Sequence, residues 1–452
     1  MTEELKSASD IKKENLSPDS NAAAIEAPAG KSGAFASLRL PNFRLLLSGS
    51  VLSYANQWIQ SVVLGWLVYD LTGSGTILGT INLVSSIASL GMLFATGLLV
   101  DYYNRRKLML ISSGGFLALT LSLGLVLLTG HANIIYLFVF ATIYGSVEIL
   151  DSTVRQVVVF DLVPRSQTPS AMALIQTGWS VMRVVGPSLG GFLILWLTAG
   201  GSFLLMAGVC AVIAITVIYM KLAPRTPEAV RSSPLQNIQE GLSYLFREPV
   251  TRIFTLIGIV MPILAVPIFA TLPPIYAVHV FHDNSGKVLG FLVAAVGVGG
   301  VIGGVVTAYM KRWEHWGWLQ MASLFLLSVS LIGFAYTSTL PLDLGILVFA
   351  GFFEIIFLTT NMTLIQLSIP DKLRGRVTAA VNLTWILSPI GSLIAGAGAD
   401  WLGPKEITII LAGVAAGLVV LVLAFSPTVR NYRLSRNIKA NSGSPSSVSN
   451  EG

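Results

Sequence analysis

The chain has 452 residues, 54% of them hydrophobic and only 11% charged, whereas a soluble domain carries about 25% charged residues, so a large water-soluble protein is excluded. The formal charge of +6 lies in loops and tails between apolar runs, which suits anionic lipid headgroups and argues against nucleic acid. A single cysteine, Cys210, rules out an intrachain disulfide, and His131, His279, His282 and His315 lack ligand-spaced partners, so neither a metal nor a cofactor is expected.

Residues 1–37 are polar and rich in Ala, Ser, Asn and Glu, with no apolar core of a signal peptide, and read as a disordered cytoplasmic tail. Twelve apolar stretches follow: Leu45–Tyr69, Thr76–Val100, Leu108–Thr129, Ile134–Phe160, Ala171–Leu197, Gly201–Met220, Ile253–Val278, Val288–Met310, Gly317–Tyr336, Leu342–Leu367, Val377–Ala399 and Glu406–Phe425. A helix of about 20 apolar residues crosses roughly 30 Å of hydrocarbon and satisfies its own backbone there. The expected fold is therefore an all-α polytopic membrane protein with twelve transmembrane helices in two pseudo-symmetric six-helix bundles, residues 38–221 and 252–427. Residues 222–251 form a cytoplasmic linker. Within it Leu235, Ile238, Leu242, Leu245 and Phe246 recur every three or four residues, the pattern of an amphipathic interfacial helix. Residues 428–452 form a second cytoplasmic tail.

Charge fixes the orientation. One set of alternate loops holds nearly all Lys and Arg, and the opposite set holds only Lys287 and Lys405, which places both termini in the cytoplasm. A shift of 206 residues carries Gly145 onto Gly351, Glu148 onto Glu354, Pro164 onto Pro370, Trp179 onto Trp385 and Gly190 onto Gly396. Five identities at one offset indicate duplication, the plan of transporters built from parallel repeats.

Polar groups inside the spans are the candidates for chemistry, since each is costly there unless it pairs or meets water. In spans one and two, Asn56, Gln57, Gln60 and Asn82 offer hydrogen bonds beside aromatic surface. Trp179, Phe357, Asn382 and Trp385 supply the opposite wall of a cavity suited to a large amphipathic molecule. The turn after span two, Gly97 through Asp101 to Arg105 and Arg106, allows close helix approach and an acid–arginine contact that latches two halves. Ordinary topology signalling also explains it.

In span four, Glu148, Asp151 and Arg155 recur at i, i+3 and i+7 on one helix face. They form either a static ion network or a protonatable carboxylate coupled to transport, and Glu148 is expected to pair with Arg183 of span five. Glu354 of span ten has no charged neighbour on its own helix and rivals Glu148 as proton carrier. Desolvation disfavours such a charge and a nearby arginine favours it, the competition that a proton switch needs. In span five, Gly186 and Pro187 allow close packing and a bend.

These motifs carry a resemblance. Residues from about Leu38 to Pro427 resemble the major facilitator superfamily, and Gly97, Asp101, Arg105 and Arg106 match its signature loop, which in that family gates alternating access. In the corresponding second-half loop after Gly304, Ala308 stands where the acid belongs, so the second latch is expected to be degenerate. Asn42-Phe43-Arg44, Val163-Pro164-Arg165 and the run from Pro370 to Arg376 are similar to the branch of bacterial siderophore exporters and macrolide efflux proteins. Gly186-Pro187 resembles the fifth-helix motif associated with antiporters.

The resemblance implies a monomeric secondary transporter, not an enzyme, in a bacterial inner membrane. Its partners would be an amphipathic small molecule, protons and membrane lipids, with efflux driven by inward proton flow. Import of a metabolite or lipid on the same scaffold is the alternative, and a membrane scaffold without transport is a third reading.

Overall fold

A computed structural model describes residues 35–164, 166–222, 242–245, 247–309, 315–369, 373, 377–378, 380–381, 383–426 and 429, with the side chains of Leu98, Asp101, Pro169 and Ala308 outside that description. Among the described residues every regular element is helical and no strand occurs. Nine helical stretches among the described residues are long and apolar enough to cross a membrane, with Pro249–His279 counted as one. Most of the amphipathic linker helix expected from Pro234, the basic loop Pro370–Arg376 apart from Leu373, Arg165 and the two tails apart from residues 35–37 and 429 lie outside the described residues.

The first four helices are α1 (Pro41–Thr72), α2 (Gly75–Tyr102), α3 (Arg105–Leu128) and α4 (Ile134–Leu162). Polar punctuation sets their limits. Pro41 opens α1, and Gly73, at φ 61°, closes it in the left-handed region. Ser74, Asn104 and Asn133 cap α2, α3 and α4 by accepting from the backbone N–H groups of their first turns. Spans five and six run as α5 (Thr168–Tyr219), two limbs meeting at Thr198, whose φ of 62° and ψ of 174° break the helix.

Span seven, expected as one helix, is broken. It consists of α6 (Pro249–Val260), a π-helical turn over Met261–Ala265, α7 (Val266–Ala270) and α8 (Leu272–His279). Pro262, Pro267, Pro273 and Pro274 each remove a backbone donor, so a continuous hydrogen-bond ladder cannot form. Three long helices follow: α9 (Lys287–Tyr309), α10 (Trp316–Tyr336) and α11 (Leu340–Leu367). Span eleven departs likewise: a 3-10 turn over Leu383–Leu387 precedes α12 (Ser388–Leu402), with Pro389 in its first turn. The last helix is α13 (Pro404–Phe425).

Packing divides by sequence half. One buried cluster, including Phe43, Met109, Val154 and Val217, is drawn from residues before 222. A second, including Phe254, Met321, Phe357 and Leu411, is drawn almost wholly from residues after 244. A third joins them: Val63, Trp66 and Ile194 pack with Ala277 and Leu289. Along this junction α2 lies against α12 and α5 against α9.

Candidate functional site

A cavity of about 480 Å³ lies between the two sequence halves, with Gln60, Asn82, Glu148 and Arg183 on one side and Glu354 and Trp385 on the other. Its wall is mostly apolar, and Trp58 and Pro187 belong to it. A few polar groups in an apolar concavity orient a ligand without holding it irreversibly.

The central contact is an ion pair across the halves. Arg183 on α5 places Nη2 2.5 Å from Glu354 Oε1 on α11, with the two side chains only 17% and 9% exposed. Trp179, one turn before Arg183, lies with its ring centroid 6.0 Å from the guanidinium carbon, a separation at which a cation is attracted to the indole face. Trp58 meets the Trp179 ring edge-on at 6.2 Å. Gly186 makes that approach possible, because a Cβ there would stand 2.6 Å from Trp58 Cβ. Trp179 therefore backs the ion pair and is not itself part of the cavity wall.

The pairing corrects two expectations. Arg183 does not hold Glu148, and Glu354 is not an unpaired acid. The reason is packing: α4 barely touches α5, whereas α1 lies against both. Gln57 of α1 consequently reaches Glu148 and donates Nε2–H to its Oε1. The lack of a charged neighbour along α11 says nothing about a partner on another helix.

Asp151 and Arg155 are separate from the cavity. Arg155 Nε donates to Asp151 Oδ2 at 2.6 Å, and the two side chains are 2% and 4% exposed. Ser53 Oγ donates to Asp151 Oδ2 and Ser112 Oγ to Asp151 Oδ1, each at 2.8 Å, so one carboxylate ties α4 to α1 and α3. This is the geometry of a static network. Asp151→Asn removes the counter-charge of a buried guanidinium whose two Nη atoms have no other partner among the described residues. Breaking a buried pair from one side costs about 3–5 kcal/mol. The detergent-solubilised variant is accordingly expected to melt several degrees below wild type in a thermal-shift measurement.

Two expected cavity residues are core residues. Asn56 is buried and donates Nδ2–H to Cys210 Sγ at 3.5 Å. Phe357 is fully buried in the cluster of the second half. Helical spacing alone does not tell a face turned into its own bundle from one turned to a passage. Asn382 lies outside the described residues.

The acid of the expected latch after span two, Asp101, has its side chain outside the described residues. Beyond its own stretch of helix, no described atom lies within 4 Å of a Cβ placed on Gly97, so no described helix packs closely on that glycine. Arg105 and Arg106, expected in a loop, are the first residues of α3. Arg105 Nη1 stands 2.5 Å from Asp161 Oδ2 at the end of α4, and Arg106 Nη2 donates to the Ile218 carbonyl. Both basic groups are thus held inside the first half. Asp161 was not singled out from the sequence, although its place one turn before Pro164 marks an acid at a helix end.

A sequence profile of the Major Facilitator Superfamily matches residues 46–390. The multidrug efflux pump Tap of Mycolicibacterium fortuitum is 26% identical over 406 residues, covering 86% of this chain and 97% of that protein. The staphyloferrin A transporter of Staphylococcus aureus is 23% identical over 387 residues, covering 84% and 95%. Among solved structures, a bacterial homologue of the human lysosomal transporter Spinster, in an inward-facing and unoccupied conformation, aligns with a TM-score of 0.66 at 15% identity, over 90% of this chain and 98% of that one.

Proposed function

The chain belongs to the major facilitator superfamily, and from that premise we propose that it exports an amphipathic small molecule in exchange for protons. Transport leaves the cargo's bonds intact, so the protein is no enzyme. We read twelve spans in two six-helix bundles, counting the limbs of α5 on either side of Thr198 as two spans and adding α1 and the interrupted stretch ending in α12 to the remaining long stretches. The loop charges favour cytoplasmic termini in the inner membrane of a bacterium. Outward direction rests on the relative that is an efflux pump by name.

The observation that carries the mechanism is the Arg183–Glu354 pair, which joins the halves inside the cavity. Protonation of Glu354 removes the charge that holds Arg183, and the halves are then free to part. Glu148, on the opposite wall and bonded to neutral Gln57, is the second acid that an arriving cargo or proton meets. Gln60, Asn82 and Trp385 supply the hydrogen-bonding and aromatic surface for the cargo.

Proteoliposomes containing a trapped pH-sensitive dye test this reading. With a proton gradient imposed, amphipathic cations, zwitterions and carboxylate siderophores are added in turn. The expected result is cargo movement against proton movement for at least one class. Cargo moving with the protons assigns import instead, and no flux with any class leaves a scaffold without transport.

A further inference from the structure

Asp400 stands at the C-terminal end of α12, and neither the cavity nor the proton path uses it. Its Oδ1 accepts from the Gly75 backbone N–H at 2.7 Å. Its Oδ2 accepts from the Thr76 N–H at 2.9 Å, and from Ser74 Oγ and Thr76 Oγ1 at 2.7 Å each. All these donors belong to the start of α2, in the other half of the sequence. The first amides of a helix have no partner within it, and its N-terminus carries partial positive charge. Asp400 therefore satisfies α2 from outside, although α2 already possesses its own cap in Ser74, which accepts from the Ile77 N–H.

A second observation concerns the backbones beneath that carboxylate. A Cβ on Gly75 would lie 2.7 Å from the Gly396 carbonyl oxygen, and one on Gly396 would lie 2.0 Å from that of Gly75. One turn further along α2, a Cβ on Gly79 would lie 2.6 Å from Leu393 Cα. Main chain touches main chain, so no side chain and no ligand fits between α2 and α12 at this level. Close by, Tyr69 meets His279 edge-on at 6.0 Å. The halves are thus shut at the face that carries Gly73 and Gly403.

We propose that Asp400 is a releasable latch for the mouth at this face, capping the helix of the opposite half while the mouth is shut and surrendering its donors to water when it opens. The inference rests on the export reading, in which the halves rock about the cavity. In the orientation given above, this is the outer mouth.

The latch is distinct from the proton switch. Burial pushes the Asp400 carboxyl up, but donation from Thr76, Ser74 and Gly75 outweighs it and holds the group below the usual carboxylate range. A group depressed in the shut state stabilises that state above its ordinary value of about 4 and stops doing so as pH falls through the depressed value. Closure should therefore not vary between about pH 5 and pH 8, where protons drive transport.

Outer-face labelling tests the latch. Ser61 lines the cavity and is exposed there, and the native Cys210 is buried, so Ser61→Cys gives one reactive thiol. A membrane-impermeant maleimide is applied at the face of Gly73 and Gly403 and, in a parallel sample, at the opposite face, with and without a proton gradient. Asp400→Ala is expected to raise the labelling rate about tenfold, the scale of one helix-cap interaction. Thr76→Val removes a single hydroxyl donor to the ionised carboxylate, keeps the side-chain shape, and should raise the rate severalfold, less than Asp400→Ala, because the bond is charge-assisted but exposed. A wild-type rate in Thr76→Val, or in an Asp400→Ala protein that elutes as a folded species, overturns the latch alone. A Ser61→Cys protein that is labelled from neither face under either gradient sinks the export reading, and the latch with it.

Discussion

Glu354→Gln is expected to lower gradient-driven export at least about 100-fold, the scale of losing a positioned proton-transferring side chain, because glutamine binds and releases no proton and uphill movement is left without its coupled ion. The carboxylate is the partner of Arg183 across the two halves, and the pair sits in the cavity wall. Glutamine keeps the shape and a hydrogen-bond acceptor but holds no exchangeable charge. The variant is fixed in the condition that proton binding creates transiently, so downhill exchange of cargo should persist while uphill export fails. Arg183→Leu should fail differently, since it leaves an acid facing an apolar wall with only the cavity's water for company. The exchanged double variant, Arg183→Glu with Glu354→Arg, restores the pair and should recover assembly and thermal stability. Its new arginine is backed by no Trp179 ring, and export is expected to remain low. The measurement is cargo efflux from proteoliposomes under an imposed proton gradient, beside exchange with the gradient collapsed. Wild-type uphill export by Glu354→Gln would remove this acid from the coupling mechanism.

What the sequence discloses and what it hides divide along a physical line. Long apolar runs between capping residues such as Asn104 and Asn133 place helix ends within a few residues, because hydrocarbon length and unsatisfied amides are local constraints. Prolines were equally readable, yet the length of the apolar run at Ile253–Val278 suggested one helix where four prolines produce several short ones. Partnership is not local. Glu354 finds its cation on α5, 171 residues away, and Asp400 finds its donors 324 to 326 residues away. No spacing rule along a helix reports either. The 206-residue repeat does point to Glu148 and Glu354 as matching positions, and both line the cavity. Their surroundings have diverged: one faces Gln57 and the other Arg183. Phe357 shows the converse error, a residue aligned with a polar face of the first half but packed into the core of the second.

Glu148→Gln is expected to abolish proton release on cargo binding while leaving the fold intact, and gradient-driven export should fall to the level of empty vesicles. The two acids differ in what opposes their charge. Glu354 has a guanidinium, so its proton competes with a cation already in place. Glu148 has only the amide of Gln57, and its side chain opens to the cavity that also receives the cargo. A cargo bearing positive charge would therefore displace a proton from Glu148 directly, without a movement of the halves. Glutamine at 148 can still accept from Gln57 Nε2–H, so no buried donor is stranded and stability should stay near that of wild type. Asp151→Asn is the contrasting case three residues away on the same helix, where loss of charge strands Arg155 and costs stability. Proton release is read with a pH dye in weakly buffered detergent solution as each member of the cargo panel is added, and melting is followed on the same samples. Cargo-induced proton release that survives Glu148→Gln and disappears only in Glu354→Gln would assign both cargo sensing and coupling to the single ion pair between the halves.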